Sequence, residues 1–167
     1  MKLEKPNITH IEMAKSFVAE FPETEYPNCH IRELDVYLKT KTYEEWLAYL
    51  NQNRKRLHIT EYFAIHNNRI VGMVEIRYHI SKILINEFGN IGYVLSPKMR
   101  KLHLAAPMLK LALKLCKRMG FQHVIITCQN DNIASYKTIE RCGGKLSSVF
   151  DSKIYGEKYR RYICATE

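Results

Sequence analysis

The residues with the most chemical promise lie between positions 92 and 135. Gly92-Tyr93-Val94-Leu95 reads as a strand, Ser96-Pro97-Lys98-Met99 as a turn, and Arg100-Lys101-Leu102-His103-Leu104-Ala105 as the opening of a helix. A strand that passes through a basic turn into a helix N-terminus makes an anion site. Free backbone N–H groups and the positive end of the helix dipole point the same way there. Arg100 and Lys101 add full charges. The next strand ends at Thr127-Cys128-Gln129, and Asn132 and Ser135 open the helix that follows. Where adjacent parallel strands feed helices in this manner, ligands gather at the strands' C-terminal ends.

The elements that must position these residues follow from periodicity. Thr9-His10-Ile11-Glu12 and Thr42-Tyr43-Glu44-Glu45 are capping-box patterns, each ahead of apolar residues at helical spacing. The first helix carries Met13, Ala14, Phe17, Val18 and Phe21; the second carries Trp46, Leu47 and Leu50 and ends on Arg54-Lys55-Arg56. Between them Glu20–Arg32, with Pro22 and Pro27, reads as a loop. Glu61–His66 and Ile70–Tyr78 read as strands around an Asn67-Asn68 turn, since Asn tolerates positive φ. Residues 79–88 carry no clear period, and Gly89–Leu95 reads as a third strand. The clearest helix runs from about Leu104 to Met119, with Pro107 in its first turn and Gly120 as its stop. His123–Cys128 reads as a buried strand, Asn132–Cys142 as a helix stopped by Gly143-Gly144, and Lys145–Phe150 and Lys158–Ala165 as closing strands. The order predicts an α/β protein with a mixed central sheet flanked by helices and one parallel β-α-β crossover.

The 167 residues suit one domain and are enough to bury a sizeable core. The N-terminus shows no apolar leader, and no apolar run approaches a membrane span. Five widely spaced cysteines, at 29, 116, 128, 142 and 164, include no C-x-x-C pair, which argues against a disulfide framework or a zinc site. A cytoplasmic protein is expected. With 26 Lys+Arg against 17 Asp+Glu, the net charge of +9 suits a polyanionic ligand. The excess is spread along the chain, and Lys110, Lys114, Lys117 and Arg118 read as the wet face of the long helix. His58, His66 and His79 have no metal-ligand spacing, Cys128 and Cys142 read as small buried hydrophobes, and Trp46 reads as core.

The Gly92–Pro97 run, the Arg100–Ala105 loop, the Thr-Cys-x-x-x-Asn strand end, the Asn132-x-x-Ser135 helix start and the Ile139–Gly144 ending together resemble the GNAT N-acetyltransferase superfamily, over about residues 60–165. The closing Arg160-Arg161-Tyr162 is similar to one bacterial-type subgroup. The resemblance implies a single GNAT-like domain over 1–167, with 1–59 a helical acceptor-side segment and 60–165 a cofactor-binding core, the parallel crossover lying at the cofactor site. It implies acetyl-CoA as cofactor. Backbone groups of Val94 and Leu95 would pair with the pantetheine arm. The amides of Arg100, Lys101, Leu102, His103, Leu104 and Ala105 would hold the diphosphate, and Asn132 and Ser135 would flank the arm. No metal is implied. A backbone N–H near Leu95 would stabilise the developing oxyanion while an acceptor amine attacks the thioester.

The chain departs from the family pattern at three positions. The central Gly of the diphosphate loop is His103, where a Cβ crowds the approach of backbone to phosphate. Asn90 stands where many relatives carry an acid or His, and Asn cannot titrate. The position of the family's general-acid Tyr is Ile139, with Tyr136 one turn earlier as a substitute. Glu75, alternating with Val74 and Ile76, is the first candidate for the base, set against the commoner reading of such a residue as solvated. The expected acceptor is a small-molecule or protein amine, and a homodimer is compatible with the sequence; a membrane or nucleic-acid partner is not expected. Two other functions compete. One is a catalytically silent CoA-binding or sensing module, suggested by the missing Gly, acid and Tyr. The other is a basic nucleic-acid-binding module, suggested by the charge but lacking any recognition motif.

Overall fold

The structure, a computed structural model, describes residues 1–22, 31–78 and 81–166. The chain forms two compact units, Met1–Glu75 with Tyr93–Leu104 and Ile76–Gly92 with Ala105–Glu167. Part of the loop expected over Glu20–Arg32, with Cys29, lies outside the described residues, and so does His79.

In the first unit β1 (Lys2–Glu4) is followed by a 3-10 turn and α1 (Ile11–Val18), then α2 (Ile31–Thr40), α3 (Tyr43–Leu57), β2 (Ile59–His66) and β3 (Arg69–Arg77). The four-stranded sheet has the order β1-β2-β3-β4, with β4 over Ile91–Leu95. Asn67 and Asn68 take φ of 50° and 55°, as the tight hairpin between β2 and β3 requires. The second capping box forms as expected: Thr42 Oγ1 accepts from Glu45 N–H at 3.2 Å, and Glu45 Oε2 accepts from Thr42 N–H at 2.8 Å. The first is displaced. Asn7, not Thr9, is the cap, accepting from Thr9 N–H at 2.9 Å, and the partner in its box is His10. One face of α1 and α3 meets the sheet in a core that includes Phe17, Leu34, Trp46, Phe63, Ile70 and Val94. Trp46 stacks on Phe63 with ring centroids 5.9 Å apart, so its role is packing.

In the second unit α5 (Ala105–Arg118), β5 (His123–Gln129), α6 (Ile133–Arg141), β6 (Lys145–Asp151) and β7 (Lys158–Ala165) follow α4 (Lys82–Phe88). The sheet order is β5-β7-β6, with antiparallel pairing throughout. Alternation along β5 buries Val124, Ile126 and Cys128 and exposes His123 and Gln129. Helix α4 fills the stretch without a clear period. It is capped by Ser81, and its apolar Ile83 and Leu84 are exposed, which is why no amphipathic pattern marks it.

The expected parallel crossover is not among the strand pairs described. Strands β4 and β5 belong to different sheets; just ahead of β4 an isolated antiparallel bridge joins Gly89 to Ile126 in the middle of β5. The physical reason lies in Asn90, whose side chain occupies the place of a ladder carbonyl: Ile125 N–H donates to Asn90 Oδ1 at 2.8 Å. Gly89 makes the approach feasible, with φ +68° and ψ −176°, a region open essentially to Gly alone. A Cβ on Gly89 would sit 2.6 Å from the Ile125 carbonyl oxygen. Gly89→Ala is therefore expected to cost about 3 kcal/mol or more, measured by urea denaturation.

Candidate functional site

Ser96 ends β4, with its N–H donating to Val71 O at 2.9 Å, and Pro97–Met99 form one 3-10 turn closed by Met99 N–H to Ser96 O at 2.9 Å. Arg100 returns to extended backbone. Then Lys101 and His103 take φ of 65° and 57°. A left-handed conformation costs a non-Gly residue roughly 1–2 kcal/mol, and such strain gathers at functional sites. Among the described residues the N–H groups of Lys101, Leu102, His103 and Leu104 donate to no protein atom. Free amides on left-handed backbone are groups that can bind an anion. Arg100, Lys101 and His103 are exposed. His103 thus holds the backbone shape that glycine would adopt, although its Cβ makes that shape costly. Val94 is 9% exposed and packs in the core, which leaves only its backbone for a ligand. Leu95 is half-buried.

In the second unit Asn132 caps α6, its Oδ1 accepting from Ser135 N–H at 3.0 Å. The Ser135 hydroxyl lies beside the Cys128 thiol. Burial pushes that thiol up to about 11, against weaker lowering by Ser135 and the Arg160 charge. Cys128 is therefore protonated at neutral pH and is no nucleophile. Tyr136 lies beneath the Arg160 guanidinium, 4.1 Å from its ring centroid, and Arg160 Nε also donates to Asn130 O and Oδ1 at 3.2 and 3.1 Å. Arg161 donates to Asn86 O at 2.8 Å and Ser148 Oγ at 3.0 Å, while Tyr162 OH donates to Glu140 at 2.9 Å. The Arg160-Arg161-Tyr162 run is thus a set of ties between β7, α6, α4 and β6.

Glu75 is 2% exposed on a strand buried at every position from Ile70 to Ile76. Alternation therefore does not turn it to solvent. Asn90, 5% exposed, spends all its polar groups on two neighbours. Its N–H donates to Ile125 O at 2.6 Å and its carbonyl accepts from Arg77 N–H at 2.8 Å. Its side chain accepts from Ile125 N–H at 2.8 Å and donates to Arg77 O at 3.2 Å. Asn suits this position because its side-chain amide both donates and accepts, whereas a carboxylate only accepts.

Among the described residues, the carboxylates of Glu20 and Glu87 have distant partners that escape sequence reasoning. Glu20 pairs with Arg69 and accepts from Ser96 Oγ. Glu87 accepts from Ser152 Oγ at 2.7 Å, and Ser152 Oγ in turn accepts from Ile154 and Tyr155 N–H at 3.3 and 3.1 Å, which pins the turn between β6 and β7. Neither lies at a spacing that marks its partner, 76 and 65 residues away. Among the described residues no His/Cys/Asp/Glu group could hold a metal ion, and no helix is long and apolar enough to cross a membrane.

The profile of the acetyltransferase (GNAT) domain family matches residues 7–145, and the chain belongs to that family. Solved structures share its fold. A RimL ribosomal L7/L12 α-N-protein acetyltransferase in complex with coenzyme A gives a TM-score of 0.70 at 16% identity, over 98% of this chain and 92% of that one. A Mycobacterium smegmatis RimJ gives 0.71 at 12% identity, over 98% and 80%. The microcin C7 self-immunity acetyltransferase MccE, with acetyl-CoA and AMP, gives 0.66 at 16% identity, over 98% and 91%. No functionally curated protein matches the sequence.

Two substitutions check the local geometry. Asn90→Ala should lower stability by about 2–3 kcal/mol in urea denaturation, since it strands the buried Ile125 N–H and Arg77 carbonyl. His103→Gly should leave stability within about 0.5 kcal/mol of the parent or raise it, while the β-branched His103→Val should lower it by about 1–2 kcal/mol.

Proposed function

We propose that the chain is an acetyl-CoA-dependent N-acetyltransferase, a single domain over 1–167 that acetylates a primary amine. The observation that carries this reading is the Arg100–Ala105 segment, in which Lys101 and His103 are left-handed and the amides of Lys101–Leu104 bond to no protein atom among the described residues. That geometry fits a diphosphate, and membership of the family supplies the rest of the reading. Acetyl-CoA, when bound, supplies the activated acetyl thioester.

The chain's own residues do the following. Amides of Lys101, Leu102, His103, Leu104 and Ala105 hold the diphosphate, with the Arg100 and Lys101 side chains adding charge; the Arg100 amide, expected to join them, donates instead to Pro97 O at 3.3 Å. Backbone groups of Val94 and Leu95 align the pantetheine arm, and Asn132 and Ser135 flank it. A backbone N–H near Leu95 stabilises the negative charge that develops on the acetyl oxygen as the amine attacks. Glu75 takes the amine proton, directly or through one water, and Tyr136 returns a proton to the leaving thiolate. Asn90 serves by holding the start of β4. The acceptor is a small-molecule or protein amine. Structural relatives include a spermidine N-acetyltransferase as well as the ribosomal-protein enzyme, which supports an amine without choosing between them. The free, buried thiols of Cys116, Cys128, Cys142 and Cys164 support a cytoplasmic setting.

The arrangement of Asn90 favours one other reading, a CoA-binding module without turnover, because a tie occupies the place of a titrating group. Calorimetry with CoA and a free-thiol release assay over an amine panel separate the two. Binding with CoA release supports the transferase, binding without release over the whole panel supports the silent module, and no binding at millimolar CoA defeats both. Ala105→Glu, which places bulk and negative charge at the diphosphate, should weaken CoA binding at least about tenfold with the melting temperature little changed.

A further inference from the structure

The loop that presents the free amides starts from a fixed point. Ser96 is fully buried, and three of its groups are engaged. Its N–H donates to Val71 O at 2.9 Å, its carbonyl accepts from Met99 N–H at 2.9 Å, and its hydroxyl donates to a carboxylate oxygen of Glu20. The other oxygen of that carboxylate takes the Arg69 guanidinium. The Glu20 side chain is 4% exposed and Arg69's is 42% exposed, so the negative charge is sunk and its counter-charge reaches the surface.

Each part has a reason. A carboxylate removed from water needs a cation or several donors, and Arg69 at the start of β3 supplies the cation. The remaining oxygen is then a strong acceptor aimed at Ser96, the residue that follows β4. Strand pairing alone would fix Ser96 only through its backbone, where the end of a strand frays. The Glu20 bond adds a side-chain restraint from a different element, just beyond the C-terminal end of α1. From Ser96 the chain enters Pro97, with its fixed φ, and within a few residues reaches the left-handed pair Lys101 and His103. Strained conformations persist only where the surroundings over-determine them.

We propose that Glu20 is a positioning residue for the diphosphate loop: holding Ser96 with one carboxylate oxygen and Arg69 with the other, it sets the strand end from which the amides of Lys101–Leu104 are presented. The role rests on the reading of that loop as the cofactor's cradle. It makes Glu20 part of the binding machinery without contact to the ligand.

The test compares the parent protein with Glu20→Gln and Ser96→Ala. Removing one partner of a buried ion pair endangers the fold, so Ser96→Ala, which leaves the Glu20–Arg69 pair in place, decides if Glu20→Gln does not fold. Two quantities are read on folded protein: the CoA dissociation constant by calorimetry, and the ligand-free backbone amide signals of residues 101–104 by NMR. A lost charge-assisted hydrogen bond should raise the dissociation constant about tenfold and move those amide signals. A dissociation constant within twofold of the parent, or unmoved amide signals, overturns the proposal. A parent protein that binds no CoA instead removes the cofactor reading, while the amide signals still decide whether Glu20 positions the loop.

Discussion

The structure turns on a stretch of backbone whose hydrogen bonds are left open. Among the described residues the amides of Lys101 to Leu104 find no protein acceptor, and the first three belong to exposed residues, open to a ligand. Two of those residues also sit in a conformation that side chains resist. A fold gains nothing in stability from either feature. Both make sense as preparation for an anion, whose binding would satisfy the donors at no further cost in backbone ordering. The side chains of Arg100, Lys101 and His103 add only direction and charge to what the main chain already offers.

The features around this loop serve to hold it and its neighbours still. Ser96 is fastened by strand, turn and carboxylate. Asn90 and Gly89 act together at the other end of β4, where a glycine with positive φ lets the backbone come within bonding distance of Ile125 and the Asn amide closes the contact. In the second unit Arg160 spans Tyr136 and Asn130, and Arg161 spans Asn86 and Ser148. These are polar groups placed where strands end and ladders stop, where unsatisfied backbone atoms would otherwise accumulate. Each site is specified by the number of donors and acceptors a side chain carries, which is why Asn90 is not an acid.

Much of this was legible in the sequence, for reasons that can be stated residue by residue. The Thr42–Glu45 box, the Asn67-Asn68 turn and the Gly120 stop depend on interactions within a few residues of chain, and they formed as their spacing requires. The apolar face of α5 was readable because Met108, Leu109, Ala112, Leu113 and Cys116 all turn to one side. Helix α4 was not, because its Ile83 and Leu84 face solvent and blur the period. The cap of the first helical segment was misplaced by two residues because Asn7, Thr9 and His10 all carry capping groups, and the choice among them belongs to His10, which also reaches Glu4 at 3.1 Å.

What the sequence determined by itself was local: the helices and hairpin, the basic turn after Pro97, and the order of elements that marks the family. Residues near one another in the chain meet whatever the rest does, so their types and spacing suffice. What the tertiary structure decided was which polar groups end up buried together. Glu20 and Ser96 are separated by 76 positions, and Glu87 and Ser152 by 65. No periodicity connects such partners, because their meeting follows from how strands and helices pack.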